Sequence, residues 1–147
     1  MGTNDYGHET PMGTIDDTED VSFYGALNVI IPGIQKAHPD AFLAWITPTH
    51  RYGFGTSKIL GTAFTYDYLP NGRGYSLNDY VDAIKEVCEK YDVPVIDLFT
   101  LSGMDPSLSE VRTQYMPDGL HPNAAGHEKI AAIISQSLGN ILLAKNL

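Results

Sequence analysis

Two short apolar runs, separated by longer helical patterns, constrain the fold of this chain most. The runs occupy residues 41–47 and 93–99. A continuous apolar run of this length between turn residues is typical of a strand buried on both faces of a sheet. In residues 20–34, 76–91 and about 124–138, apolar side chains instead recur at spacings of three and four, which predicts helices. Strands joined by helices imply parallel pairing, so the pattern predicts an α/β fold.

Residues at the helix ends place the predicted elements more closely. Asp20 is the expected N-cap of the first helix, and Pro32 with Gly33 is expected to kink or interrupt it. Ser76 and Asp79 have the spacing of a capping box, so the second helix is expected to begin there. Two strands alone make a small sheet, because layered α/β folds average about five.

Three segments lack any regular pattern and are predicted to be loops. Residues 1–19 and 100–122 are rich in glycine, proline and small polar residues. Residues 49–75, which we call the aromatic segment, interleave six aromatic side chains with glycines. Irregular segments of this length are uncommon in compact domains and usually functional. We therefore expect the aromatic segment to line a ligand pocket, although an aromatic-packed surface lobe is the alternative.

The charge of the chain limits its partners. Eighteen acidic residues against nine basic ones give a formal net charge of -9. A chain of this charge approaches nucleic acid or an anionic membrane surface against electrostatic repulsion, so we predict neither as a partner. Residues 1–35 hold six carboxylates and no lysine or arginine, which is typical of a solvated loop.

Cysteine content and hydropathy bear on the compartment. Cys88 is the single cysteine, so no intrachain disulfide forms, and its place in a helical apolar stripe predicts a packing role. The first 20 residues lack the basic and apolar regions of a signal peptide. The longest uncharged stretches contain 15 residues, fewer than the roughly 20 needed for a membrane span. The chain is therefore predicted to be soluble, in either a cytoplasmic or a secreted protein.

Two motifs carry the chemistry that the sequence suggests. Gly2-Thr3-Asn4-Asp5 lies at the N-terminus, and Asp118-Gly-Leu-His121 precedes the last predicted helix. An Asp three residues before a His can accept a hydrogen bond from Nδ1–H, which leaves Nε2 free as a general base. The same spacing also occurs in surface or capping pairs. No zinc motif is matched around His121, His127 and Asp118, so no metal and no cofactor are predicted.

In this order along the chain, the two motifs resemble the third and fifth conserved blocks of the SGNH hydrolases, also called the GDSL lipase/esterase family. The resemblance implies a three-layer, flavodoxin-like α/β fold and hydrolysis of carboxylic esters by acyl transfer to a serine. It also implies the role of each matching residue. Asn4 would donate to the oxyanion, His121 would be the base, and Asp118 would orient His121.

The chain departs from the family pattern because it lacks two blocks, the nucleophilic Gly-Asp-Ser block and a second block whose glycine, by the resemblance, would supply another oxyanion donor. Its serines, at positions 22, 57, 76, 102, 107, 109, 135 and 137, include no Gly-Asp-Ser nucleophile block and no G-x-S-x-G turn. In the fold that the resemblance implies, the third block follows the third strand, but here it begins at residue 2. Three strand–helix units would then be missing, which is roughly 75 to 90 residues if each unit takes about 30. We therefore expect residues 1–147 to be the C-terminal part of a single SGNH hydrolase domain, truncated to its last strands and helices.

Two functional hypotheses follow from this interpretation. In the first, the intact protein is a serine esterase or lipase that acts on a small-molecule or carbohydrate-linked ester, with a small acyl group such as acetyl preferred, and the isolated chain is inactive. In the second, the chain is a noncatalytic fragment that binds a ligand or assembles with itself. An exposed sheet edge would then allow homo-oligomers, or complementation by the missing N-terminal portion.

Overall fold

A computed structural model describes residues 1–146. The described residues form helices and strands in the order α1 (Thr3–His8), α2 (Phe23–Ala37), β1 (Trp45–Ile46), α3 (Leu77–Lys90), β2 (Val95–Ile96), α4 (Leu98–Leu101), α5 (Ser109–Gln114) and α6 (Ala124–Ala144).

The two strands pair in parallel, as the sequence predicts. Trp45 is in register with Val95 and Ile46 with Ile96. Each strand contains only two residues, so the prediction of strands through 41–47 and 93–99 is too long. The prediction that the strands are buried on both faces is also wrong for β1, because Trp45 packs on the core whereas Ile46 is 39% exposed. Successive strand side chains point to opposite faces, and the face that carries Ile46 is left partly open to solvent.

The hydrophobic core lies between α2 and α3. Leu27 and Ile31 from α2 pack with Ile84 and Val87 from α3, and all four are fully buried. Cys88 is a buried free thiol in the same cluster, and burial raises its pKa to about 11. The predicted packing role of Cys88 is therefore confirmed, and a thiolate nucleophile is disfavoured.

The capping box at the start of α3 is confirmed. Asp79 Oδ2 accepts the backbone N–H of Ser76 at 2.6 Å, and Ser76 Oγ accepts that of Asp79 at 3.4 Å. The start of α2 differs from the prediction, because its N-cap is Ser22, whose Oγ accepts the Gly25 N–H at 3.1 Å, and not Asp20. The helix also continues through Pro32. Leu27 and Ile31 before the proline are fully buried and Ile34 beyond it is half-buried, and this burial outweighs the one helical hydrogen bond that a proline cannot make.

Two of the predicted loops contain short helices. Residues 1–19 include α1, in which Asp5 Oδ2 accepts the Gly2 N–H at 2.8 Å and which ends where Glu9 adopts a left-handed φ of 58°. Residues 100–122 include the end of α4 and all of α5. Helices of four to six residues carry too little periodicity to separate from turns in the sequence.

The last helix, α6, is longer than the predicted range of 124–138 and continues to Ala144. Its apolar residues are mostly half-buried, including Ile130, Ile134 and Leu138. Gly126 is its one buried residue. Among the described residues no helix combines the length and hydropathy required to cross a membrane.

Candidate functional site

The carboxyl ends of the two strands are tied together by side chains. Thr47, which is 1% exposed, donates its hydroxyl to Asp97 Oδ1 at 3.0 Å and accepts the Phe99 N–H at 3.1 Å. Lys85 Nζ lies 2.7 Å from the other carboxylate oxygen of Asp97. Open α/β sheets bind ligands outside the carboxyl ends of their strands. The contacts thus fix the segments that leave this edge and carry the candidate residues.

The first candidate pair, Asp118 and His121, lies in the turn before α6. Asp118 Oδ2 is 2.7 Å from His121 Nδ1, while Oδ1 accepts the backbone N–H of Leu120 at 2.9 Å and of His121 at 2.7 Å. Partial burial acts to raise the pKa of Asp118, but these hydrogen bonds outweigh it and lower the pKa to about 2. The carboxylate is therefore ionised at neutral pH and able to hold the imidazole by Nδ1–H.

The aromatic segment fixes the position of this turn. The Tyr52 N–H donates to the Gly119 carbonyl at 2.8 Å. Gly119 has a φ of 80°, and a Cβ there would lie 2.1 Å from the Tyr52 carbonyl oxygen, so no other residue fits. Phe54 meets the His121 ring edge to face, with ring centroids 5.4 Å apart. In the described part of the chain nothing hydrogen-bonds to His121 Nε2, and no serine hydroxyl hydrogen-bonds to this imidazole.

Asn4, the third candidate, lies in the first turn of α1. The preceding Gly2 has a φ of 101°, and a Cβ there would lie 3.1 Å from Pro48 Cγ, so the motif packs on the chain that leaves β1. Asn4 is exposed and helps to line a cavity of about 200 Å³, which Phe54 and Leu120 also line. The structure therefore brings Asn4 and the Asp118–His121 turn to the same cavity.

Much of the cavity wall comes from the aromatic segment, through Phe54, Gly55, Thr56, Lys58 and Phe64. The segment is anchored to the C-terminal half of α1 and to its C-cap, Glu9. The buried carboxylate of Glu9 accepts the N–H of Gly72 at 2.9 Å and of Ile59 at 3.0 Å, and the Tyr6 hydroxyl donates to the Leu69 carbonyl at 3.0 Å. An irregular segment held in this way forms a fixed wall, in agreement with the pocket alternative.

Arg51 is the residue of this region that the sequence analysis missed. It is 6% exposed, its Nη1 donates to the Thr3 carbonyl at 2.8 Å, and its Nη2 donates to the Phe54 carbonyl. The guanidinium also lies over the Tyr6 ring, 5.4 Å from its centroid. A Cβ on Gly7 would come within 2.8 Å of Nη1, so the glycine makes room for it. Arg51 thereby links the helix that carries Asn4 to the wall that carries Phe54.

A second His–Asp pair is formed by His50, for which the sequence shows no evident partner. His50 Nδ1 is 2.8 Å from Asp67 Oδ2, and the same oxygen accepts the Arg51 N–H at 2.9 Å. The imidazole lies against Phe99, with centroids 3.8 Å apart. Burial acts to lower the pKa of His50, but the hydrogen bond and charge of Asp67 outweigh it, so the pKa is raised. The pairing joins residues 17 positions apart, which no local motif records.

Two polar side chains lie at the start of α6. Asn123 is the N-cap of α6, and its Oδ1 accepts the Gly126 N–H at 3.0 Å. His127 is exposed, so its side chain is not packed into the fold. Across residues 1–146 no three His, Cys, Asp or Glu side chains are grouped as metal ligands.

Comparison with known proteins identifies similar sequences and structures. The model of the GDSL-like lipase/acylhydrolase family matches residues 1–129. One crystal structure is 36% identical, with a TM-score of 0.83 over 94% of this chain and 61% of its own. The crystal structure of a Lactobacillus plantarum protein is 34% identical, with a TM-score of 0.85 over 95% of this chain and 64% of its own.

A possible lipase from Chitinophaga pinensis is 22% identical, with a TM-score of 0.73 over 96% of this chain and 70% of its own, a likeness that concerns the fold alone. No curated protein matches the sequence. The chain spans less than two thirds of the length of the first two solved structures.

Proposed function

Because this chain belongs to the GDSL-like lipase/acylhydrolase family, we propose that the protein hydrolyses carboxylic esters by acyl transfer to a serine. Family membership confirms the expected α/β fold and supports the hydrolase class. The observation that carries the residue assignment is the 2.7 Å contact between Asp118 Oδ2 and His121 Nδ1, in a turn that borders the same cavity as Asn4.

Each of the three side chains takes a separate role in the proposed mechanism. His121 Nε2 removes the proton of the serine hydroxyl as the oxygen attacks the ester carbonyl. Asp118 holds Nδ1–H and stabilises the imidazolium, and the Asn4 amide donates to the oxyanion of the tetrahedral intermediate. The imidazolium then protonates the leaving alcohol. Water repeats the sequence on the acyl-enzyme and releases the acid.

The serine nucleophile is proposed to come from outside residues 1–147. The sequence holds no Gly-Asp-Ser block. We propose that residues 1–147 form the C-terminal part of a single hydrolase domain, so that the isolated chain does not turn over esters. Support comes from the shorter span of this chain relative to its solved relatives and from the half-buried apolar side of α6.

The assignment is tested with p-nitrophenyl acetate on the protein that includes its nucleophile block. His121→Ala and Asp118→Ala should each lower kcat/KM by orders of magnitude, with the circular-dichroism spectrum unchanged. Full activity in either variant would contradict the assignment of His121 as the base and Asp118 as its partner. A fluorophosphonate probe on the 147-residue chain tests the proposal that the nucleophile lies outside it. Stoichiometric serine labelling would show that a nucleophile lies within these residues.

A second candidate function follows from the small sheet. β1 and β2 pair only with each other among the described residues, and Ile46 is 39% exposed. A short parallel sheet with free edges can pair with another chain. The alternative proposal is that the isolated chain is a noncatalytic fragment that binds a ligand, assembles with itself or is complemented by an N-terminal portion. Sedimentation velocity separates these outcomes, and a monomer at all concentrations would contradict self-assembly.

A further inference from the structure

The cavity beside Asn4 has the opposite charge to the protein as a whole. The chain carries a net charge of -9, yet three of the side chains that line this cavity are basic types, Arg51, Lys58 and His8, and none is acidic. A wall that concentrates basic groups in an acidic protein makes a local field that the net charge does not reveal.

Arg51 provides a fixed positive charge in this wall. The side chain is 94% buried, and two of its N–H groups are used by the neutral carbonyls of Thr3 and Phe54. A guanidinium has five N–H donors, so further donors remain. Among the described residues no carboxylate oxygen lies within 4.0 Å of this guanidinium, and Asp67 bonds to the Arg51 backbone N–H instead. The buried charge therefore lacks a direct counter-ion within the described chain.

Lys58 adds a second charge at the exposed side of the cavity. It is exposed and forms no ion pair with any described carboxylate. The Glu9 carboxylate bonds to Ser57, the neighbour of Lys58 in the chain, and to the N–H groups of Ile59 and Gly72, and Glu9 does not line the cavity. The charge of Lys58 is thus directed at solvent or at an occupant of the cavity.

We propose that this cavity selects esters that carry a carboxylate or an equivalent anionic group on the part of the substrate that enters it, with Lys58 as the specificity-determining residue. The inference rests on the proposed ester hydrolysis and deepens it. A volume of about 200 Å³ admits a small group only, since pockets for drug-sized ligands start near 300 Å³. A compact anionic group uses such a space best, because fixed charges in a partly desolvated wall attract it while the acidic remainder of the protein does not.

The test compares two matched ester pairs on the active hydrolase. On the acyl side, the p-nitrophenyl monoester of fumarate is compared with p-nitrophenyl crotonate. The two acyl groups differ in a carboxylate that replaces a methyl group, and the trans double bond prevents this carboxylate from attacking its own ester carbonyl. On the alcohol side, 4-acetoxybenzoate is compared with its methyl ester. The ratio of kcat/KM for the charged and neutral members is measured in each variant, so that intrinsic reactivity cancels between variants.

In at least one pair, Lys58→Ala should lower the charged-to-neutral ratio about fivefold or more, as loss of one partly screened charge implies. Lys58→Arg should retain the ratio and Lys58→Glu should lower it further. Lys36→Ala is the matched control, since Lys36 is an exposed lysine in the last turn of α2, before β1, and its loss changes net charge equally. At 1 M salt, where the Debye length is about 3 Å, the wild-type ratio should fall toward that of Lys58→Ala.

The pair that responds identifies which half of the ester occupies the cavity. If neutral esters are hydrolysed but Lys58→Ala leaves both ratios unchanged, or changes them no more than Lys36→Ala does, the charge selection is wrong while the proposed hydrolysis stands. If none of the four esters is hydrolysed, the proposed function itself is contradicted, and this inference with it.

Discussion

Each of the two His–Asp pairs in this molecule contains a hydrogen bond between Nδ1 and Oδ2, and the surroundings of these two bonds differ in almost every respect. Nδ1 to Oδ2 distances are 2.7 Å for His121–Asp118 and 2.8 Å for His50–Asp67. The side chains are 68% and 45% exposed in the first pair but 28% and 8% in the second. The bond alone therefore does not identify a catalytic base, and the access of the second ring nitrogen has to be considered as well.

Sequence separation adds to the contrast. Asp118 and His121 lie three residues apart in one turn, so their geometry is local and leaves the ring face free for Phe54. His50 and Asp67 lie 17 residues apart and join the exit of β1 to the aromatic segment, with the imidazole packed on Phe99. The first arrangement suits proton transfer, and the second is a cross-link within the fold.

The largest expected effect separates the two imidazoles by activity. His121→Ala should lower kcat/KM for p-nitrophenyl acetate by about a thousandfold or more, because it removes the proposed base. His50→Gln should lower it less than tenfold, because that ring takes no part in the proposed proton transfer to and from the substrate. Steady-state kinetics on the active hydrolase measures both. Equal losses would show that the buried pair, too, belongs to the reaction.

The two carboxylates should separate activity from stability. Asp118→Asn should lower kcat about a hundredfold or more with little change in melting temperature, because the amide no longer stabilises the imidazolium. Asp67→Asn should instead lower the free energy of unfolding by about 1–3 kcal/mol, since it disturbs a buried acceptor of two hydrogen bonds. Kinetics and thermal unfolding on both variants form the measurement. A stability loss in Asp118→Asn larger than that in Asp67→Asn would reverse the interpretation.

Arg51 connects the buried pair to the candidate oxyanion residue, and this link is testable. Arg51→Met should lower kcat about tenfold, because Thr3 and thus Asn4 lose their support. Arg73→Met is the control, since Arg73 Nε donates to the Glu9 carbonyl just beyond the opposite end of α1. In an Asn4→Ala background the Arg51→Met effect on kcat should largely vanish. An undiminished effect there would show that Arg51 does not act through Asn4.

The smallest effect concerns pH. The folded pKa of His50 is raised by Asp67, so the pair contributes stability that is fully present below the unfolded pKa of about 6.5 and is lost as pH rises through the folded pKa. Urea unfolding of the wild type and His50→Gln across this range should show the difference in unfolding free energy shrinking with rising pH. A difference that grows with pH would mean that the ring is neutral when folded.

Sequence reasoning located the elements that local chemistry determines. Ser76 and Asp79 cap α3 as predicted, and the two parallel strands lie inside the predicted apolar runs. The motif that contains Asn4 was found by its resemblance to a family, although its helical conformation was not. Six residues with a glycine among them give no usable periodicity.

The contacts that sequence reasoning missed are long-range ones. Asp67 pairs with His50 across a segment without secondary-structure pattern, and Arg51 reaches Thr3 across 48 positions. A single arginine or histidine in an irregular segment looks the same whether it is solvated or buried. Only the folded path of the aromatic segment decides which it is.

The shortness of the sheet has a consequence for the motions of the chain. The backbone N–H groups of Trp45 and Thr47 donate across the strand pair, at 2.9 and 3.1 Å. Helix α3 spans 14 residues and has its apolar face in the core. Amide hydrogen exchange tracks local opening, so the slowest-exchanging amides should lie in α3 and not in the sheet, which then opens as a minor, faster unit.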